Sequence, residues 1–420
     1  MKFAADLQLH SKYSRATSPQ MVVENLAQWG KIKGIKVLGT GDFTHPAWFK
    51  ELKEKLVPAE QGLFRYRDDL SQDPTRFMLT AETSHIYSKN NRVRKVHIVI
   101  WAPSFEAVER INTKLSRVGN LFSDGRPIMG LDSKELAKIV LEADENCMVI
   151  PAHAWTPWFS VFGSMSGFDS LEECFDEYTK YIYAIETGLS SDPPMNWRLS
   201  QLDRVALVSN SDSHSLPRLG REANVFDTEL SYQAIIDAVK TKDPQKFLFT
   251  IEFFPEEGKY HYDGHRLCNI SLAPAETKKN RGLCPVCGRS VTIGVLHRVE
   301  ELADRPEGFA LEGAIPFKSL VPLDEIIAGA HGTESKTKRV FADYHQLATA
   351  FGGEIPLLLG ADPEEVARIA NTKVAEGIRR VREGKLHIEP GYDGEYGKVK
   401  IFEEGEDAAL PQPQKSLFGS

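Results

Sequence analysis

The sequence lacks any run of about 18 consecutive apolar residues, the length a membrane-spanning helix needs. It shows no charged-then-apolar leader before a small-residue cleavage site, so a cytoplasmic protein without membrane attachment is expected. Cysteine is scarce: five in 420 residues exclude a disulfide-stapled secreted scaffold. Net positive charge is missing too. The formal charge of −8 offers no general attraction to nucleic acid, although one basic surface or bound cations can supply it locally. No internal repeat is visible. The first 255 residues contain no Gly-rich phosphate loop, no Ser nucleophile elbow and no Cys-x-x-Cys pair.

What is present is an ordinary globular composition, 41% apolar and 26% charged, long enough for two or three domains. Residues 1–255 alternate strand-like and helical stretches. Asp6-Leu7-Gln8-Leu9-His10 alternates with period two, which puts Asp6, Gln8 and His10 on one strand face. The strand-like segment 35–38 ends at Gly39-Thr40-Gly41-Asp42-Phe43-Thr44-His45. Segment 77–81 leads to Glu82, 93–100 carries His97, and 148–150 leads to His153. Segment 181–185 leads to Glu186, 205–208 leads to Asp212 and His214, and 247–254 closes the series. About eight such strands with intervening helices predict a parallel α/β barrel, in which strand C-terminal ends face the active site. One His or Asp at a strand end is ordinarily a turn former. Recurrence on strand after strand marks a site. Imidazole nitrogen and carboxylate oxygen suit Zn, Mn or Fe, and clustered divalent ions suit in-line attack on a phosphoester. Metal-assisted hydrolysis is the chemistry expected of this part.

The remainder has a different character. Between Lys259 and Arg298 seven basic residues face two acidic ones, a local +5 that could meet phosphates. His265-x2-Cys268 and Cys284-x2-Cys287, separated by 15 residues, have the spacing of a structural Cys3His zinc site, with His261 as the competing fourth ligand. Cys147 and Cys174 read as core residues. From residue 322 to about 387 the pattern is helical. Asp362-Pro363-Glu364-Glu365 opens a helix whose stripe is Val366, Ile369, Ala370, Val374, Ile378 and Val381. Arg379, Arg380 and Arg382 in its last turns suit either the helix dipole or DNA. The expected organisation is a barrel over 1–255, a zinc module over 256–310, a helical domain over 311–392 and a partly disordered tail over 393–420. In the tail, Gln414-x2-Leu417-Phe418 partly resembles the peptide by which repair proteins bind the sliding clamp. Aromatic rings on the barrel loops, Phe43, Trp155 and Trp158, are candidates for stacking an unpaired base. His85 and Asn210 are candidates for reading a base edge, and Arg218 and Arg221 for clamping phosphates.

The set Asp6-x-Gln8-x-His10, the Asp42 loop, Glu82, His97, Pro151-Ala152-His153 and Ser211-Asp212-x-His214 resembles the PHP (polymerase and histidinol phosphatase) superfamily. The resemblance implies a distorted (β/α)7 TIM-like barrel with a two- or three-metal centre that hydrolyses phosphoesters. It implies metal ligands among Gln8, His10, Asp42, His45, Glu82, His97, His153, Asp212 and His214, with Asp212, His153 and Glu82 closest to catalysis. Two departures stand out. Gln8 occupies a position where the superfamily usually has His, and Phe43-Thr44 separates Asp42 from His45 where the two are usually adjacent. More narrowly, the string 39–46, the segment 186–192 and the Cys-rich module followed by Gly294-Val295-Leu296-His297-Arg298-Val299 resemble the endonuclease Q family. That resemblance implies nicking of duplex DNA 5′ of hypoxanthine, uracil, xanthine and abasic sites, leaving a 3′-hydroxyl and a 5′-phosphate. Zn²⁺ is expected in the module and the barrel, with Mg²⁺ or Mn²⁺ as activating ions. The competing expectations are a small-molecule phosphoesterase of histidinol-phosphatase type and a catalytically silent DNA-binding protein.

Overall fold

The computed structural model describes residues 1–403. The clamp-like element Gln414-x2-Leu417-Phe418 lies outside the described residues.

The fold is mixed α/β, built on one large sheet. Lys2–Asp6 lies within it, parallel to Val37–Gly39 and antiparallel to Ala223–Asp227. Val37–Gly39 runs parallel to Arg76–Lys89, as predicted. The all-parallel expectation then fails. Arg76–Lys89 and Arg92–Ala102 form a long antiparallel hairpin, and Met148–Pro151 pairs antiparallel with the second arm. The cause is the two-residue turn Asn90-Asn91, whose residues have φ of 54° and 58°. Asn tolerates this left-handed region, and a turn with both central residues there matches the twist of a hairpin. Ala223–Asp227 and Phe247–Glu252 are also antiparallel. Ala184–Glu186 and Ala206–Val208 form a separate parallel pair.

The sheet is buried on both faces. Leu38, Leu79, Ile98 and Val149 join Leu26, Leu52, Ile111 and Val140 from surrounding helices in one cluster. Their strand neighbours Val37, Met78, Val99 and Ile150 face the other way and join Ile235, Ile236 and Val239. Alternate residues thus enter opposite apolar layers, and the strands read as continuous apolar runs. Buried polar side chains gather at strand ends and loops, and along the hairpin at Glu82, Ser84, His85 and His97. The first strand ends earlier than its pattern suggested. It stops at Asp6, and Leu9 makes only an isolated bridge to Ser213.

Beyond residue 255, Asp263–His265 and Ile270–Leu272 form a short hairpin. The expected helical domain over 311–392 also contains strands. Phe317–Ser319 adds parallel to Phe247–Glu252, and His387–Glu389 pairs with Lys398–Lys400, so the segment after Asp393 starts with paired structure. The stripe assigned to one helix belongs to two, Pro363–Ile369 and Thr372–Arg382. The Asn371 side chain accepts from Val374 N and starts the second helix afresh. Arg379 and Arg380 are held by Glu376, while Arg382 donates to the carbonyls of Leu357, Leu358 and Ala361. Arg382 thus fastens its helix to the one before Asp362, while Arg379 pairs within its own helix. Buried Glu354 ties these helices to the helix Val23–Lys33 by pairing with Lys33, and accepts from Tyr344 Oη and Leu323 N. No helix among the described residues is long and apolar enough to cross a membrane.

Candidate metal centre

Four loops and one hairpin converge. On the hairpin, Ser84 lies opposite His97, and Glu82 opposite Val99. Glu82 and His97 are therefore diagonal neighbours on one face, within reach of each other. His97 Nδ1 lies 2.6 Å from Glu82 Oε1, and Nε2 lies 3.1 Å from Ser84 Oγ. His153 follows the strand Met148–Pro151 and brings Nε2 to 3.2 Å from His97 Nδ1 and 3.4 Å from Glu82 Oε1. From the other side, the Leu9–Ser213 bridge sets His10 beside Asp212 and His214. His10 Nε2 is 3.0 Å from Glu82 Oε2 and 3.1 Å from Asp212 Oδ1. Two groups result, Glu82/His97/His153 and His10/Asp212/His214, each with ligand atoms converging within 4.8 Å. Glu82 faces the first with Oε1 and the second with Oε2.

The donor chemistry fits divalent cations. Each His has one nitrogen held by an oxygen outside the centre. His10 Nδ1 meets Asp42 Oδ1 at 3.0 Å, and His97 Nε2 meets Ser84 Oγ. His153 Nδ1 meets Thr156 Oγ1 at 3.2 Å, and His214 Nδ1 meets the Asp212 carbonyl at 2.9 Å. Such partners fix tautomer and orientation, leaving the other nitrogen for a metal. Burial works against the ionised forms of Glu82 and Asp212. Arg126 and His97 at Glu82, and His10 at Asp212, outweigh it and hold both carboxyls below the usual range. Burial likewise opposes a charged His10, but Asp42, Asp212 and Glu82 hold its imidazole well above its ordinary value. The carboxylates thus demand positive charge at this point. His97 is pushed down to about 4 by burial, giving the neutral imidazole that ligates.

The backbone is strained where it serves this centre. Asp42, His153 and Asp212 have φ of 49°, 28° and 47°, a region that is costly for non-glycine residues and persists where surrounding structure enforces it. His153 is held through its backbone N–H, which donates to Glu186 Oε2 at 2.8 Å. Glu186 is fully buried, and burial raises its carboxyl to about 8.

Several expected site residues lie elsewhere. Gln8 is in neither group. Its Nε2 donates to Glu82 Oε2 at 3.0 Å, while Oε1 is buried without a partner among the described residues. Asp42 stands behind His10, its Oδ2 taken by Ser11 N, Ser11 Oγ and Ser14 Oγ. His45 starts the helix Pro46–Lys55, accepting from Trp48 N, and stacks on Tyr13 at 4.4 Å. Asp6 accepts from Ser211 N and Gly220 N. It anchors the loop that carries Asp212 and His214.

The base-binding candidates separate in the same way. Phe43 and Trp155 are wholly buried, and Trp155 Nε1 donates to Asn196. Neither offers a face to a base. His85 is enclosed between Thr83 and the Leu131 carbonyl. Asn210 accepts from Leu7 N and donates to Glu186. Arg218 pairs with Glu325 and Asp324, and Arg221 Nε donates to the Ser211 carbonyl. Trp158 alone of the seven is exposed, edge-on to Tyr260. Two contributors were not singled out from the sequence, Ser14 beside Asp42 and Arg126 beside Glu82. For Arg126 the available signal was a lone charge between Asp124-Gly125 and Pro127, a tight loop in a region that carries function.

His265, Cys268, Cys284 and Cys287 bring their ligand atoms within 4.8 Å of one another, a third metal-competent group, of the expected composition. His261 is not part of it. That ring is buried, and its Nδ1 has no partner among the described residues.

The family model for the MJ0043 C-terminal domain matches residues 322–385. The chain is 34% identical over 265 residues to the uncharacterised protein MJ0043 of Methanocaldococcus jannaschii, a match covering 59% of this chain and 31% of that protein. It is 30% identical over 388 residues to the uncharacterised protein YqxK of Bacillus subtilis, covering 89% of this chain and 91% of that one. The crystal structure of the lesion-specific endonuclease PfuEndoQ from Pyrococcus furiosus superposes with a TM-score of 0.84 at 30% identity, covering 98% of this chain and all of that one. A structure of endonuclease Q with a 27-mer duplex carrying an abasic lesion at the active site also gives 0.84, at 32% identity, covering 96% and 98%. Likeness over the whole length, at this identity and in this fold, makes the chain a member of the endonuclease Q family.

Proposed function

We propose that the chain is a metal-dependent DNA-repair endonuclease, acting in the cytoplasm, that nicks duplex DNA 5′ of deaminated bases (hypoxanthine, uracil, xanthine) and abasic sites. It would leave a 3′-hydroxyl and a 5′-phosphate. The observation that carries this reading is Glu82, one carboxylate facing two triads of ligand atoms, in a chain that matches endonuclease Q over its whole length. We read residues 1–255 as a PHP-type distorted (β/α)7 barrel and 256–310 as a module held by structural Zn²⁺. Residues 311–392 form a further, mainly helical unit.

Divalent cations (Zn²⁺, or Mg²⁺ or Mn²⁺ for activity) held by His10, Asp212, His214, Glu82, His97 and His153 would supply Lewis acidity and an activated water. The chain supplies the geometry. Glu82 holds the two halves in register, Asp42 holds the His10 Nδ1 proton so that Nε2 faces the centre, and Glu186 fixes the strained backbone of His153. A closed Cys3His site has no open position for chemistry, and the basic stretch around it suits DNA phosphates.

The test is incubation with Mn²⁺ or Mg²⁺ and a labelled duplex carrying one deoxyinosine, deoxyuridine or abasic site. A single nick 5′ of the lesion, lost in Asp212→Asn and His153→Ala, is expected. Hydrolysis of phosphomonoesters with no nick, or duplex binding with neither reaction, would overturn the reading.

A further inference from the structure

Arg126 points its guanidinium at the Glu82 carboxylate, and its surroundings show a built position. Its Nη1 lies 3.3 Å from Glu82 Oε2 and 3.5 Å from Oε1, with the side chain 28% exposed. Charge-assisted N–H···O bonds are ordinarily 2.7–2.9 Å, so this pair is loose. Nε and Nη2 make no hydrogen bond to the described residues. A guanidinium offers five donors in a planar fork, and most of this fork is unused.

The loop beneath it is pinned independently of that contact. Asp124 Oδ1 accepts from Arg126 N at 3.0 Å, Gly125 N donates to the Tyr13 carbonyl at 3.0 Å, and Thr44 Oγ1 donates to the Gly125 carbonyl at 3.2 Å. The Pro127 carbonyl accepts from Ser84 N at 3.0 Å, on the residue that orients His97. Gly125 packs so closely on Asp42 that a Cβ there would overlap Asp42 Oδ2 and Ser14 Oγ. The loop is thus fastened to partners of His10 on one side and of His97 on the other. It delivers one guanidinium between the two triads.

We propose that Arg126 is a catalytic residue whose free Nε and Nη2 donors grip a non-bridging oxygen of the scissile phosphate. This rests on the endonuclease reading and names the group that takes the charge developing on phosphorus oxygens during in-line displacement. A guanidinium beside the ion-binding carboxylate binds no metal itself, has fixed charge at every working pH, and matches phosphate geometry. Preorganised donors of this kind act where charge develops in the transition state.

The test compares metal-loaded wild type with Arg126→Ala and Arg126→Lys. Four quantities are read: bound metal per chain, kcat and KM on the lesion duplex, affinity for inorganic phosphate by calorimetry, and rescue of Arg126→Ala by added guanidinium. Expected are unchanged metal content, a kcat lower by about 100-fold or more with KM changed little, and phosphate binding weaker by about 10-fold. Partial rescue by guanidinium and an intermediate Arg126→Lys enzyme are also expected. Unaltered kcat and phosphate affinity would overturn the inference. So would loss of bound metal without rescue, which marks Arg126 as a structural partner of Glu82. If wild type nicks nothing yet Arg126→Ala weakens phosphate binding, the endonuclease reading falls and the phosphate contact stands.

Discussion

Replacing Asp42 with Asn changes one atom and tests the logic of the whole centre. The Asp42 carboxylate is divided in its duties. Oδ2 accepts from Ser11 N at 2.6 Å, Ser11 Oγ at 2.7 Å and Ser14 Oγ at 2.9 Å, while Oδ1 faces His10 Nδ1 at 3.0 Å. Ser11 N can only donate, so the Asn carbonyl must keep the Oδ2 position and its NH2 must face His10. Nδ1 of His10 then has to accept, its proton moves to Nε2, and Nε2 no longer offers a lone pair to the His10/Asp212/His214 triad. Loss of a carboxylate behind a ligating His typically weakens metal binding 10–100-fold, which is about 1.4–2.7 kcal/mol. Metal titration with elemental analysis should show one weakened barrel site, with the Glu82/His97/His153 site and the Cys3His site retained. Nicking should fall at limiting metal and recover in part at high metal. Equal affinity at all sites, with full activity at limiting metal, would refute the claim that Asp42 sets the His10 tautomer.

Gly125→Ala introduces a methyl that overlaps Asp42 and Ser14; overpacking of this kind costs about 1–3 kcal/mol. Urea unfolding should register that loss, and nicking should fall beyond what the stability change explains. Cys284→Ser should remove one bound ion per chain and raise amide exchange in 263–292, where Leu272, Cys284 and Val291 form a small cluster of their own, while the barrel ions stay. Buried His261 has its imidazole pushed down to about 4 by burial, so the fold disfavours its protonation. Its contribution is present above pH 6.5 and is lost as pH falls towards 4, a loss of about 3 kcal/mol in full. A His261→Asn variant should show a shallower fall in stability across that window, and parallel curves would contradict the assignment.

Local pattern made much of this molecule legible. Strand-like runs leading to His153, Glu186 and Asp212 are real elements, the run expected to end at Glu82 continues through it to Lys89, and all the residues of both triads had been singled out. Spacing gave the three cysteines and left His265 and His261 competing for the fourth place, which the fold gives to His265. The helical character after residue 322 and the helix opening at Asp362 were read from its cap and apolar stripe, except that Asn371 starts a new helix where the stripe reads on unbroken. Sheet direction was missed because Asn90-Asn91 is a hairpin signal only when both flanking strands are seen to be long enough to pair back on each other.

The sequence by itself marked every residue of the two ligand groups, because period-two alternation buries apolar side chains in both layers and makes a His or carboxylate in or just after a strand stand out. Only the tertiary structure decided what each buried polar group does there. Asp6, Gln8 and His10 look equivalent along the chain, yet Asp6 binds two backbone N–H groups, Gln8 donates to Glu82, and only His10 offers a nitrogen to the centre. Phe43 and Trp155 look like loop aromatics and are core, while Arg126, from a loop with no pattern at all, arrives beside Glu82. The reason is physical. Periodicity reports the face a side chain occupies, whereas a buried polar atom must be satisfied by whichever donor or acceptor the rest of the chain brings to it. That partner is set by contacts distant in sequence.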